Sequence, residues 1–166
     1  MTDEEKRHLV LNLLEHYRHD DHKGLLGLLT DNCEFRIGAG HSQGVVPYHG
    51  RHVGHDQISG YLQKRRQHST RNNNDCILRP PGKEAAPVGG TEHPQASRGG
   101  MDQFVVQGDT VVVLGHLTDK FADGNHMHKS DFALVFHIDE EQRKIRYFQY
   151  FFDTEAAAKA WRNRGP

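Results

Sequence analysis

The last third of the chain limits its possible folds most sharply. From Gln103 to Phe152, β-branched and aromatic residues alternate with polar ones in runs broken at Gly108–Asp109, Asp123–Gly124 and Asp139–Gln142. Alternation at period two marks strands with one dry face, and short Gly- or Asp-containing breaks mark hairpins. Residues Gln103–Gln107, Thr110–Phe121, His126–Ile138 and Arg143–Phe152 therefore read as four successive antiparallel strands. Three hairpins thus follow in series.

The first third reads as helices. Thr2 with Glu5 three residues later forms a capping box, and Leu9, Val10, Leu13, Leu14 and Tyr17 follow on one helical face. Asp20 and Asp21 break the pattern and can cap a second helix carrying Leu25, Leu26, Leu28 and Leu29, predicted to end near Asp31 and Asn32. Cys33, Phe35 and Ile37 then alternate with Glu34 and Arg36, a strand that Gly38 and Gly40 stop. The stretch 39–55 reads as a structured loop rich in Gly and His. Asp56 is the predicted cap of a third helix to about Gln67, burying Ile58, Tyr61 and Leu62 and exposing Lys64, Arg65 and Arg66 as a solvated helix end. Thr154 is the predicted cap of a last helix built on Ala156, Ala157, Ala158, Ala160 and Trp161. Between residues 79 and 100 stand four of the six prolines and five of the seventeen glycines, so this segment reads as an irregular insertion, a flap. Helices followed by a long antiparallel sheet make an α+β plan, and 166 residues suit one domain spanning 1–166.

Composition removes several functions. Lys and Arg number 21 against 22 Asp and Glu, a formal charge of −1, so no single-sign field attracts nucleic acid or an anionic membrane. Apolar runs such as Val111–Leu114 fall far short of the roughly 18 residues of a membrane span. Cys33 and Cys76 have no metal-ligand spacing, and nothing ahead of them reads as a secretory leader, which predicts a soluble, cytoplasmic protein. Histidine is the outlier at fourteen residues. His126 and His128 alternate beside a hairpin turn, but no further histidine motif completes a ligand set, and neither a metal nor a cofactor is expected.

Two stretches carry a resemblance. "DDHKGLLGLLTDNCEF" looks like a second-helix entry, polar stop and first strand, and "DFALVFHIDEEQRKIRYFQYFFDT" like a hydrophobic strand, acidic turn, "KI" and aromatic strand ending in "FDT". Together with the element order they resemble the SnoaL-like and ketosteroid-isomerase-like group of the nuclear transport factor 2-like superfamily. The resemblance implies a cone-shaped, curved antiparallel sheet wrapped on the N-terminal helices around a pocket for a hydrophobic small molecule. By strand parity, Ile37, Leu134, Phe136, Phe148, Tyr150 and Phe152 would line that pocket, with His41 and Tyr48 at its mouth and His68 nearby. Tyr150 falls where the similar epoxide hydrolases carry a catalytic aspartate, and Ile37 where ketosteroid isomerases carry their aspartate base. Neither position offers a carboxylate here. Tyr17 falls where scytalone-type dehydratases carry a tyrosine that contacts substrate.

His116 interrupts an apolar strand after Val112 and Leu114, and at the position of an inward carboxylate in the similar hydrolases it is the expected general base. Counting back from an Asp123–Gly124 turn pairs His116 with Asp131, which would fix the imidazole tautomer. Yet Phe132, Leu134 and Phe136 look like the buried set of that strand, which places Asp131 outside unless a bulge intervenes. The expected function is a cofactor-independent enzyme moving a proton on a hydrophobic, oxygenated small molecule, as in isomerisation, cyclisation, dehydration or epoxide opening of polyketide type. The alternative is a non-catalytic binding or accessory protein with the same pocket. The resemblance also implies a homodimer across the outer sheet face, where Val111, Val113, Ala133, Val135, Tyr147 and Phe151 would form an apolar patch.

Overall fold

The computed structural model describes residues 1–38, 40, 42–68, 99–120 and 127–163, with the backbone alone for 99–102, 117–120 and 127–129. In chain order the elements are α1 (Asp3–Arg18), α2 (His22–Gly27), β1 (Leu29–Ile37), β2 (Gly50–Val53), α3 (Gly54–His68), β3 (Gly99–Gln107), β4 (Thr110–Lys120), β5 (Met127–Asp139), β6 (Lys144–Phe151) and α4 (Thr154–Arg162). One curved, unclosed sheet runs β2-β1-β6-β5-β4-β3. Most of the α+β expectation is met. The sheet is nevertheless mixed, because β1 joins β6 in parallel while every other pair is antiparallel.

Register gives the sheet its two faces. Val106, Val111, Phe136, Phe148, Phe35 and His52 are successive partners across all six strands. The next inward row is Phe104, Val113, Leu134, Tyr150, Ile37 and Gly50. Within the first row Phe148 stacks on Phe136 with centroids 5.0 Å apart and meets Phe35 edge-on at 4.8 Å. Such geometries add about 0.5–1.5 kcal/mol per pair to the burial itself. Against this face α1 buries Val10, Leu13 and Leu14, and α3 buries Ile58, Tyr61 and Leu62.

Several boundaries differ from the sequence reading, for local reasons. The capping box of Thr2 and Glu5 is present, and Asp21 caps α2 through the Gly24 amide. α2 stops at Gly27 because the next residues are taken by the sheet: the Ile145 amide donates to the Leu28 carbonyl and Leu29 pairs with Ile145. β1 therefore starts at Leu29 and carries a bulge before Glu34 that exposes Asp31 and Asn32. α3 starts at Gly54 and leaves Asp56 in its first turn, while Gln57 accepts the Val53 amide. α4 is capped by Asp153, which accepts from Ala156, so the cap is one residue earlier than Thr154. The edge strand β2 arises inside the predicted loop 39–55, paired to β1. β3 begins at Gly99, so the end of the expected insertion is strand, and its remainder lies outside the described residues, as does the Asp123–Gly124 turn.

A charged clamp holds α1 to the hairpin ends. Lys6, buried at 5% exposure, donates to the Gly108 carbonyl at 2.6 Å and pairs with Glu140 at 2.7 Å. None of the helices among the described residues is long and apolar enough to cross a membrane. Replacing Phe136 by Ala should lower stability by about 3–5 kcal/mol, since it removes the ring shared by two inward strands. Equilibrium urea denaturation monitored by circular dichroism measures this, and a loss under about 1 kcal/mol would show that the row does not organise the core.

Candidate functional site

The inward rows continue past the packed core into a band of aromatic side chains. Tyr150 follows Phe148 on the inner face of β6, and Phe152 packs on it at 4.5 Å between centroids. Phe132 meets Tyr150 edge-on at 6.0 Å, and His49 meets Phe152 edge-on at 5.3 Å. Gly38 makes this approach possible. Its φ is +59°, and a Cβ there would fall 2.8 Å from the Phe152 ring and 2.6 Å from the His49 imidazole. Further along, Tyr48 stacks on His68 with an interplanar angle of 12°, and both meet Trp161 of α4 edge-on.

A polar cluster borders this band where α1 ends against α3. The Tyr17 and Tyr61 hydroxyls lie 2.6 Å apart, and the Arg65 guanidinium is centred 3.9 Å over the Tyr17 ring. Burial raises the Tyr61 hydroxyl well above the usual phenol range, so Tyr61 keeps its proton, and the two hydroxyls share one hydrogen bond in which either can donate. Burial opposes the charge on Arg65, but Tyr17, Tyr61 and Asp20 around it more than offset that. Asp20 faces the same point, its Oδ1 3.9 Å from Arg65 Nη1.

The backbone explains how Asp20 comes to be there. α1 ends in a paired turn in which the Asp21 amide donates to the His16 carbonyl and the Asp20 amide to the Tyr17 carbonyl. The residue after the cap in that motif needs a left-handed conformation and is usually Gly, yet here Asp20 adopts φ 55°. The turn directs its carboxylate to Arg65. On the other side of Tyr61, His52 of β2 tilts over the ring with centroids 5.0 Å apart. Its Nε2 lies 3.2 Å from the Tyr48 carbonyl, which can only accept, so Nε2 carries the proton and Nδ1 is the acceptor nitrogen. Cys33 offers no alternative chemistry, because burial pushes its thiol up to about 12.

The expected site residues divide into four groups. Tyr17, Tyr48, Tyr150 and Phe152 border the aromatic band, whereas Ile37, Leu134, Phe136 and Phe148 are packed below it at 4% exposure or less. His41 lies outside the described residues. His116 and Asp131 are register partners, as expected, but both are exposed on the outer face, and the expected inward aim of His116 is corrected. The reason is parity: Val111 and Val113 are the buried residues of β4, so Val112, Leu114 and His116 take the other face. The same parity removes Val111 and Val113 from the expected outer patch. A general base at His116 is thereby withdrawn. Arg65, read as part of a solvated basic run, is 6% exposed. The signal was available, because Arg65 follows Ile58, Tyr61 and Leu62 at helical spacing on the buried stripe. Trp161 and His52 gave no such signal, since their neighbours come from distant parts of the chain.

Among the described residues no group of three or more His, Cys, Asp or Glu side chains could hold a metal ion. The sequence matches no protein-family model and no curated protein. Solved structures do match over nearly the whole chain. A nuclear transport factor 2-like (NTF2-like) protein from Burkholderia xenovorans LB400 superposes with a TM-score of 0.68 at 21% identity, covering 96% of this chain and 98% of that one. TerC, co-crystallised with polyporic acid, gives 0.67 at 19% identity, covering 96% and 99%. A protein from Jannaschia sp. CCS1, proposed to be a SnoaL-like polyketide cyclase, gives 0.61 at 14% identity, covering 98% and 94%. The fold is thus the NTF2-like fold.

Burial places the His52 imidazole below the ordinary histidine range, so the folded state resists protonation there. An unfolded chain takes up that proton near the ordinary pKa of about 6.5, so it binds more protons than the folded one just below this pH. His52 should therefore cost the fold nothing above about pH 6.5 and progressively destabilise it as the pH falls through that value. Comparing wild type with His52→Gln by denaturation at pH 7.5 and 5.5 tests this. A stability difference that does not change with pH would refute it.

Proposed function

We propose that the chain is a cofactor-independent enzyme that moves a proton on a hydrophobic, oxygenated small molecule, by isomerisation, cyclisation, dehydration or epoxide opening. The observation that carries this reading is the Tyr17–Tyr61 hydroxyl pair under Arg65, bordering an aromatic band. A phenol has one proton to donate. The hydrogen bond shared with Tyr61 and the guanidinium beside the ring ready the Tyr17 oxygen to take up negative charge as its proton leaves. In this reading Tyr17 is the general acid, and the acceptor Nδ1 of His52 is the general base. The neighbour proposed as a polyketide cyclase and the one crystallised with polyporic acid support this choice of ligand class.

Native mass spectrometry of the protein purified from its own cells is the way to the substrate. With that molecule in hand, Tyr17→Phe keeps the ring beneath Arg65 and removes only the hydroxyl. Turnover should fall by about 10²-fold or more with binding held within about tenfold. Full turnover in the variant would remove Tyr17 from the mechanism, and a wild type that binds the molecule without converting it would favour the second reading, a non-catalytic binding protein. One observation speaks for that reading: among the described residues, the two inward rows of the sheet carry no carboxylate.

For the outer face we propose pairing with a second copy of the chain. Leu114, Ala133 and Phe151 are register partners across β4, β5 and β6, with Leu114 38% and Phe151 47% exposed, and Val105 and Val135 adjoin them. Charge is sparse within this row and polar residues flank it, as at interface cores. Light scattering at micromolar concentration should give the mass of two chains, and Leu114→Asp should give that of one. A single-chain mass for the wild type would refute the dimer.

A further inference from the structure

Resting on the reading that a hydrophobic, oxygenated molecule binds beside Tyr17, the geometry points to a site that selects its polar group. Arg65 Nη1 and Asp20 Oδ1 are both buried and neither has a hydrogen-bond partner. At 3.9 Å they attract each other by charge but stand too far apart to bond directly. Leaving a buried donor or acceptor of a charged group unmet is costly, and native structures rarely do it without a reason. Asp20 adds a second anomaly, since it occupies with φ 55° a helix-ending position that favours glycine. A left-handed, non-glycine residue whose carboxylate faces an unmet guanidinium nitrogen suggests a use beyond ending the helix.

The two unmet atoms define the missing group. Nη1 can only donate, and an ionised Oδ1 can only accept. A guest that satisfies both must accept one hydrogen bond and donate another, which a hydroxyl does. A carboxylate cannot donate, and it would meet the negative charge of Asp20. An ether can accept but not donate. The Arg65 side chain is 7% exposed and that of Asp20 19%, so the carboxylate is the more accessible of the two groups and a negative guest would meet its charge. We propose that Asp20 and Arg65, beside Tyr17, bind a hydroxyl of the ligand and so select a neutral hydroxylated ring, phenolic or enolic, over the corresponding carboxylate or ether.

Calorimetric titration of the full chain with 2-naphthol, 2-methoxynaphthalene and 2-naphthoate tests this without knowledge of the natural substrate. The naphthol should bind at least about tenfold more tightly than either of the others, the scale of one hydrogen bond to a charged group. Asp20→Asn keeps the shape and tolerates the left-handed backbone, so folding is retained. It should reduce the preference for naphthol over naphthoate by about fivefold or more, because the repelling charge is gone. Arg65→Met should weaken naphthol binding by a similar factor in any preparation that remains folded. Equal affinities for the naphthol and the ether, or a ratio of naphthol to naphthoate unchanged in Asp20→Asn, would overturn the hydroxyl site and leave Asp20–Arg65 as a structural ion pair. Those outcomes keep the aromatic band as a binding surface. Absence of binding by all three probes would overturn both the site and the proposed function.

Discussion

Everything in this molecule hangs on one inward row of side chains, Val106, Val111, Phe136, Phe148, Phe35 and His52, that crosses all six strands. Period-two geometry makes that row decisive, since fixing one residue of a strand inward fixes every other. The row turns Tyr150 and Ile37 inward beside it, and sends His116, Asp131 and Leu114 outward. It also gives α1 and α3 a surface to cover, and their junction over that surface brings Tyr17, Tyr61 and Arg65 together.

What the sequence revealed and what it hid follow from the range of the interactions. The capping box at Thr2, the hairpin at Gly108–Asp109 and the His116–Asp131 register depend on residues close in sequence or on counting along strands, and they were readable. The inward aim of His116 was misread, because β4 is apolar on both faces and its pattern does not say which is buried. The end of α2 was misplaced because β6, a distant segment, captures Leu28 and Leu29. Arg65 was hidden by its company: two exposed basic neighbours made a buried guanidinium look like a solvated end. The meeting of Tyr48, His68 and Trp161 depends on three separate segments and left no local trace.

The residues that break local rules lie close together. Asp20 takes a glycine's conformation, Arg65 buries a charge, and Tyr61 buries a phenol, all beside Tyr17. Proteins bear such departures chiefly where they are used, while the rest of the chain follows propensity and pattern. The outer face, with its paired surface charges among Glu34, Arg36 and Arg51, is built in the ordinary way. That contrast directs functional attention to the end of α1 rather than to the histidine-bearing strand.

The parallel pairing of β1 with β6 has a consequence for how the chain reaches this state. Leu29 and Ile145 are partners although they stand 116 positions apart, and β1 and β2 have no other route into the sheet. Loop closure over such a span must be completed before the contacts that reward it form, and topologies rich in distant pairings fold slowly. The meander β3 to β6 can assemble from its own hairpins, but until β1 arrives, β6 is an unprotected edge with Phe148 exposed beside it. During synthesis that edge emerges last, with its partner already waiting, so order of translation shortens the time for which it is open to other chains.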